Sequence, residues 1–288
     1  MNCPKISLIM ATRNEGGELK KTLNSLYDSI DKYDPEIIVV DDYSMDGSCN
    51  FIDSHILLVH NHKQMGMSRS RECGLKMSSG EVLCILDPHM SFPKGLFGRL
   101  YDIAVTGCFT QPKIGRLAKK EIGSWEAGIS WNSKTKHIQS KWENNPKNQA
   151  LMCPAWAFPR KFLDPILKFY DNDAFWWMDD SAISAWTKLH SIPIIRIKDL
   201  VAGHLFKSAF DKTWGMINSL ELNYWNCEAY KRIFHPQTCK NLFGISWGQK
   251  EMEEDSTKTI SDYEFFCSIV GKEKVISGKD GSVMRIDS

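Results

Sequence analysis

The 288-residue chain contains no apolar run approaching the length of a membrane-spanning helix, which argues against a bilayer-embedded protein. It has almost no net charge: 36 Lys and Arg against 35 Asp and Glu leave +1, so no whole-molecule field points to a polyanionic partner. None of its nine cysteines falls in a Cys-x-x-Cys pair, and their odd number and scatter read as free thiols rather than a zinc knuckle or disulfide scaffold. Internal repeats and low-complexity linkers are missing too. Met1 to Pro4 leads almost directly into an apolar segment, leaving no room for a signal peptide, so the sequence predicts a soluble, cytoplasmic protein.

What is present is a βα alternation over the first ninety residues. Ile6–Met10, Ile37–Val40, Ile56–His60 and Val82–Leu86 read as short buried strands. Between them, Leu19, Leu23, Leu26, Tyr27 and Ile30 recur at helical spacing within a helix predicted from Glu15 to Ile30, and a second helix is predicted across Met67–Met77. Strands alternating with helices predict an α/β fold with a mostly parallel, doubly wound sheet flanked by helices. Further along, "SAISAWTKLH" reads as a helix and Ile194–Ile197 as a strand. Trp214–Ile233 has a helical pattern, followed by an acidic patch, and the last residues form a frayed tail or a small strand pair. The expected organisation is a catalytic-type α/β domain over 1–210 and a helical extension over 211–288.

Several stretches carry chemistry. In "VLCILDPHM" a buried strand ends in Asp87 and His89; side chains two apart point the same way on an extended chain, so the two converge at a strand's carboxyl end, where open α/β sheets bind ligands. A carboxylate with an imidazole is a mixed donor set that suits Mn²⁺ better than Mg²⁺. In "EIIVVDDYSMDGS", Asp41 and Asp42 stand where an acceptor can take a nucleobase N–H or a ribose hydroxyl; the alternative is helix-cap and turn chemistry. "GMSRSREC" brings Gly66, Arg69 and Arg71 to a helix start, suited to phosphate or, alternatively, a solvated face. His60 and His62 also stand two apart after a strand but without a carboxylate in their motif, and read as loop histidines.

Segment 113–147 differs in composition, with eight Lys and Arg against three Glu and with Trp125, Trp131 and Trp142 interleaved. Such a stretch can follow a phosphate backbone and stack an exposed base, or form a solvated loop over a binding site.

In order along the chain, "ISLIMATRNEGGELKKTLNSL", "EIIVVDDYSMDGS", "GMSRSRECGLKMSSGEVLCILDPHM", "WMDDSAIS" and "LVAGHLFK" together resemble GT-A glycosyltransferases of the family-2 superfamily. Their nearest likeness is to the polypeptide N-acetylgalactosaminyltransferases, which carry Asp-x-His, then Trp-Gly-Gly-Glu-Asn, then Val-Gly-His-Val-Phe-Arg. The resemblance runs from about Ile6 to Lys207. It implies a Rossmann-like nucleotide-sugar-binding fold and a metal-dependent transfer of a hexose or N-acetylhexosamine from a UDP-sugar to a hydroxyl. Asp87, His89 and His204 would hold Mn²⁺, with Mg²⁺ as the substitute. Thr12, Arg13, Asp41 and Asp42 would line the uridine pocket, with Arg69 and Trp176 at the donor. Lys207, in place of an arginine, would neutralise phosphate as a point charge. Asp179 falls where the family's Glu lies near sugar and acceptor, and Asp180 where inverting relatives keep their base. "CPAWAF" replaces the paired glycines that shape the sugar pocket, leaving the sugar open, and the expected chain has neither a lectin domain nor an anchor. The resemblance favours retention. The acceptor readings are hydroxymethylated pyrimidine in DNA, as in a viral or bacterial cytoplasm, and a protein or glycan hydroxyl. A non-catalytic nucleotide-sugar or nucleic-acid binder on the same fold is the rival.

Overall fold

A computed structural model describes residues 5–118, 121–127, 129–131, 138–139, 149–151, 154–170, 179–206, 275–277 and 283–285. The first half alternates as the sequence predicts: β1 (Ile6–Thr12), α1 (Glu18–Ser29), β2 (Glu36–Asp41), β3 (Leu57–His60), α2 (Met67–Met77) and β4 (Val82–Leu86). There follow β5 (Met90–Ser91), α3 (Leu96–Ala104), β6 (Phe109–Ala118), β7 (Glu121–Ala127), β8 (Ile129–Trp131), β9 (Ile138–Gln139), β10 (Gln149–Ala150), β11 (Ala155–Pro159), α4 (Leu163–Tyr170), α5 (Asp179–Leu189) and β12 (Ile194–His204). An antiparallel pair, β13 (Val275–Ser277) and β14 (Val283–Arg285), matches the strand-pair alternative of the two readings for the end of the chain. The predicted helix over Trp214–Ile233, the acidic patch and the rest of the 211–288 extension lie outside the described residues.

The main sheet runs β3-β2-β1-β4-β11-β6-β12-β5, with β7 against β6. Its first four strands are parallel, as expected. Beyond β4 the sheet is mixed: β11 lies antiparallel to both β4 and β6, whereas β12 runs parallel to β6. Ala155 to Phe158 of "CPAWAF" thus belong to a core strand. Trp156 and Phe158 face one side with Phe109, and Ala155 and Ala157 the other, all fully buried.

The same alternation puts a core on each face of the sheet. Ile9, Ile38, Val40, Leu83 and Ile85 pack towards α2, α4 and α5, while Leu8, Met10, Val39, Cys84 and Leu86 pack towards α1 and α3. Helix α2 sits so close to the sheet that a Cβ on Gly74 would come within 2.5 Å of Ile9 Cγ2. Helix α1 begins three residues later than the sequence pattern suggests, because Asn14 and Gly16 adopt positive φ and turn Glu15 out of any helix. Among the described residues no helix is long and apolar enough to cross a membrane.

Candidate functional site

The carboxyl ends of β1, β2, β3 and β4 lie side by side, and the chain returns to them twice, through the turn into β5 and through the end of β12. Asp87 leaves β4, and its backbone N–H donates to the Pro154 carbonyl next to β11. His89 lies in the following turn. That turn is clamped from α1 by Thr22, whose hydroxyl donates to the Pro88 carbonyl at 3.0 Å and accepts the Met90 N–H at 2.9 Å. His204 ends β12 opposite Met90, and the Leu205 N–H donates to the His89 carbonyl. Three separate backbone ties therefore fix the three side chains relative to one another.

Asp87, His89 and His204 each offer a ligand atom within 4.8 Å of the others, a group that can hold a metal ion. His204 Nε2 lies 3.2 Å from Asp87 Oδ2, and the two imidazole centroids are 4.9 Å apart. One carboxylate and two imidazoles are a borderline-hard donor set that fits Mn²⁺ well. Burial by itself would raise the Asp87 pKa. The hydrogen bond with His204 and the Arg71 charge reverse this and hold the carboxyl well below the usual carboxylate range, so it is anionic and ready to ligate.

Arg71 and Glu15 are the main additions to what the sequence suggests. Arg71 does not face solvent or a phosphate as its motif suggests: its side chain is 2% exposed, and one guanidinium nitrogen donates to Asp87 Oδ1 at 2.9 Å. The other donates to both oxygens of Asp179, at 2.9 and 2.7 Å, and Tyr170 also donates to Asp179. The pattern of α2 explains the miss, since two residues after the half-exposed Arg69 the helix face has turned into the core. Glu15 Oε2 lies 3.2 Å from His89 Nδ1, with the Glu15 side chain fully buried. Asp87 and Asp179 share the Arg71 guanidinium and a third carboxylate, Glu15, lies against His89, so with neutral imidazoles the cluster carries a formal excess of negative charge that a divalent cation would balance.

The remaining residues divide clearly. Thr12 ends β1 next to Asp41 at the end of β2, and its buried hydroxyl has no hydrogen-bond partner in the structure. Asp41 accepts the Ser44 N–H through Oδ1 and meets His60 Nδ1 through Oδ2 at 2.9 Å. The parallel register Asp41↔His60 supplies the carboxylate that the local motif around His60 lacks, so the loop reading of His60 is corrected; His62 remains an exposed loop residue. Asp42 is fully buried and accepts Asn61 Nδ2, the Met65 N–H and the Gly66 N–H, so it anchors the entry to α2. Arg13 donates to the Asp42 and Tyr43 carbonyls, and Arg69 pairs with Glu72. Asp179 and Asp180 open α5, where acids complement the helix dipole, and both are buried. Trp176 and Lys207 lie outside the described residues, as do the side chains of the basic, tryptophan-bearing segment from 118 onward.

A parallel nucleotide-type half-sheet, extended by an antiparallel strand and closing on an Asp-His-His group at its carboxyl edge, defines a GT-A glycosyltransferase fold. The Glycosyl transferase family 2 profile matches residues 7–167, more than half of the chain, and the protein belongs to that family.

Two curated relatives share 26% identity. One is the inactive polypeptide N-acetylgalactosaminyltransferase-like protein 5 of Macaca fascicularis, over 253 residues covering 77% of this chain and 56% of the relative. The other is the probable N-acetylgalactosaminyltransferase 6 of Caenorhabditis elegans, over 176 residues covering 52% of this chain and 26% of the relative. The chain therefore spans about half or less of these relatives. Among solved structures, GalNAc-T7 with UDP, GalNAc and Mn²⁺ superposes with TM-score 0.64 at 16% identity, covering 93% of this chain and 56% of that one. S. aureus TarS 1–349 gives TM-score 0.52 at 15% identity, covering 93% and 82%.

Proposed function

We propose that this protein is a Mn²⁺-dependent glycosyltransferase that moves an N-acetylhexosamine or hexose from a UDP-sugar to a hydroxyl acceptor. The observation that carries this reading is the meeting of Asp87, His89 and His204 around a point where one cation fits, at the sheet edge used for nucleotide binding. A divalent ion there would neutralise charge gathering on the diphosphate leaving group. Thr12 and Asp41 form the floor of the uridine site; the unpartnered Thr12 hydroxyl is ready for a ligand polar atom. Arg13 and Asp42 shape that floor through the backbone of residues 42–43 and the entry to α2. Arg69 and, by the family likeness, Lys207 would supply positive charge to the phosphates, and Trp176 would stand on the donor side.

Transfer proceeds with retention. A general base must reach the acceptor hydroxyl, but the Asp179 carboxylate is enclosed by Arg71 and Tyr170 and Asp180 is buried, which supports a same-face route in which the departing phosphate oxygen takes the acceptor proton. The acceptor reading favoured by the Lys, Arg and Trp content of 113–147 is a hydroxymethylated base in DNA, in a viral or bacterial cytoplasm.

Incubation of UDP-sugars with Mn²⁺, and with hydroxymethylated DNA or Ser/Thr peptides, tests the whole reading by mass spectrometry. Asp87→Ala and His204→Ala should each lower turnover at least ~100-fold, by loss of electrostatic stabilisation of the leaving group. Full activity in EDTA, or an inverted product by NMR, refutes the metal role or retention respectively. Glycosylated peptide with unmodified DNA assigns the acceptor to protein.

A further inference from the structure

The loop that carries Glu15 is held more firmly than a surface connection needs. Arg13 donates to the Asp42 and Tyr43 carbonyls, the Asn14 N–H to Ser44 Oγ at 2.9 Å, and the Gly16 N–H to Asp46 Oδ2 at 2.9 Å, while the Met45 N–H donates to Asn14 Oδ1 at 2.8 Å. Asn14 and Gly16 accept positive φ on either side of Glu15, so the backbone reverses around it. The effect of this bracing is to drive one carboxylate inward, with none of its side chain exposed, against the Nδ1 edge of His89.

We propose that Glu15 is a positioning residue that accepts the His89 Nδ1–H and thereby fixes the tautomer in which the Nε2 lone pair is free for the cation. An imidazole has two nitrogens, and the one that ligates is set by the hydrogen bond the other makes. At 3.2 Å Glu15 Oε2 is within reach of an Nδ1–H and needs that proton to bond to it. With Nδ1 so engaged, His89 presents Nε2, the same atom by which His204 approaches Asp87. The inference rests on the metal reading above and adds the means by which one of its ligands is aimed.

The test uses the whole chain, ¹⁵N-labelled at histidine and metal-free, at about pH 8.5. Long-range ¹H–¹⁵N spectra should show His89 with its proton on Nδ1. In Glu15→Ala the Nε2–H form should appear, and Mn²⁺ affinity, titrated with the metal alone, should fall ~10- to 100-fold. Glu15→Gln keeps an acceptor oxygen without the charge. It should retain the Nδ1–H form with an intermediate Mn²⁺ affinity, and it remains informative if the alanine variant does not fold. A proton on His89 Nε2 in the unsubstituted protein, an unchanged tautomer or undiminished Mn²⁺ affinity in Glu15→Ala, or loss of the Nδ1–H form in Glu15→Gln overturns the proposal. Unsubstituted protein with the expected tautomer but no Mn²⁺ binding would instead refute the metal role beneath it.

Discussion

At the scale of single residues, His204 and Arg71 keep Asp87 anionic despite its burial, whereas burial without such a positive partner keeps the Cys49 and Cys84 thiols neutral. Burial is the main influence on Cys49 and pushes its thiol up to about 12, with the Asp41 charge adding to it; burial alone pushes fully enclosed Cys84 higher still. Iodoacetamide at pH 8 should therefore leave both unmodified in the folded protein and label them only on denaturation, as read by peptide mass spectrometry; rapid native labelling of Cys49 would mean its side chain opens to solvent. Asp87 and His89 were readable in sequence because two positions of extended chain decide their direction. His204 was reachable only through the family likeness, since nothing local ties "AGHLFK" to a turn so far upstream. Glu15 and Arg71 were not readable as neighbours of the ligands. The first depends on a loop whose shape is set by contacts with residues 42–46, and the second on which way a charged helix face turns.

Among the elements, α2 shows how tightly the site's supports are packed. It carries Arg71 inward, and it can do so only because Gly74, one turn further on, lets the helix lie on β1 and β2. Gly74→Ala places a methyl against Ile9 and should destabilise the fold by about 1–3 kcal/mol, even though alanine is the better helix former. Urea denaturation checks this; an unchanged or raised midpoint would mean that the helix shifts outward at no cost. Helix α2 was legible to its terminal residues from its apolar spacing and the Ser78-Ser79-Gly80 stop, whereas α1 was overextended by three residues at its start because Glu15 looks like a first-turn acid. The partner strands of β11 were not legible. Antiparallel insertion between β4 and β6 is a property of the assembled sheet, and a run of Ala, Trp and Phe is consistent with either strand direction.

For the whole molecule, the acid side of the stability profile follows from its carboxylates. In Glu36, Asp46 and Asp87 burial would raise the pKa but hydrogen bonds, joined in Glu36 and Asp87 by nearby positive charge, bring it below the ordinary value; in Asp102 the lowering comes first from Lys32. A group whose folded pKa is depressed binds more protons when unfolded, so its contribution is present above the unfolded carboxylate range, near 4, and is lost as pH falls through the folded value. The urea midpoint of the metal-free protein should thus climb from pH 3 to about pH 5 and level off above it. A midpoint that falls over that interval would contradict the sign.

The two halves of the cation group enter the chain at very different times. Asp87 and His89 emerge within the segment that carries the family signature, residues 7–167, while His204 is the last residue of β12 and follows beyond that segment. A ribosome that has released the segment through His89 has therefore delivered a nascent chain with two members of this group and not yet the third. The group that could hold a cation is complete only once β12 has joined the sheet, and a long-range closure of this kind is the slow step expected of such a topology.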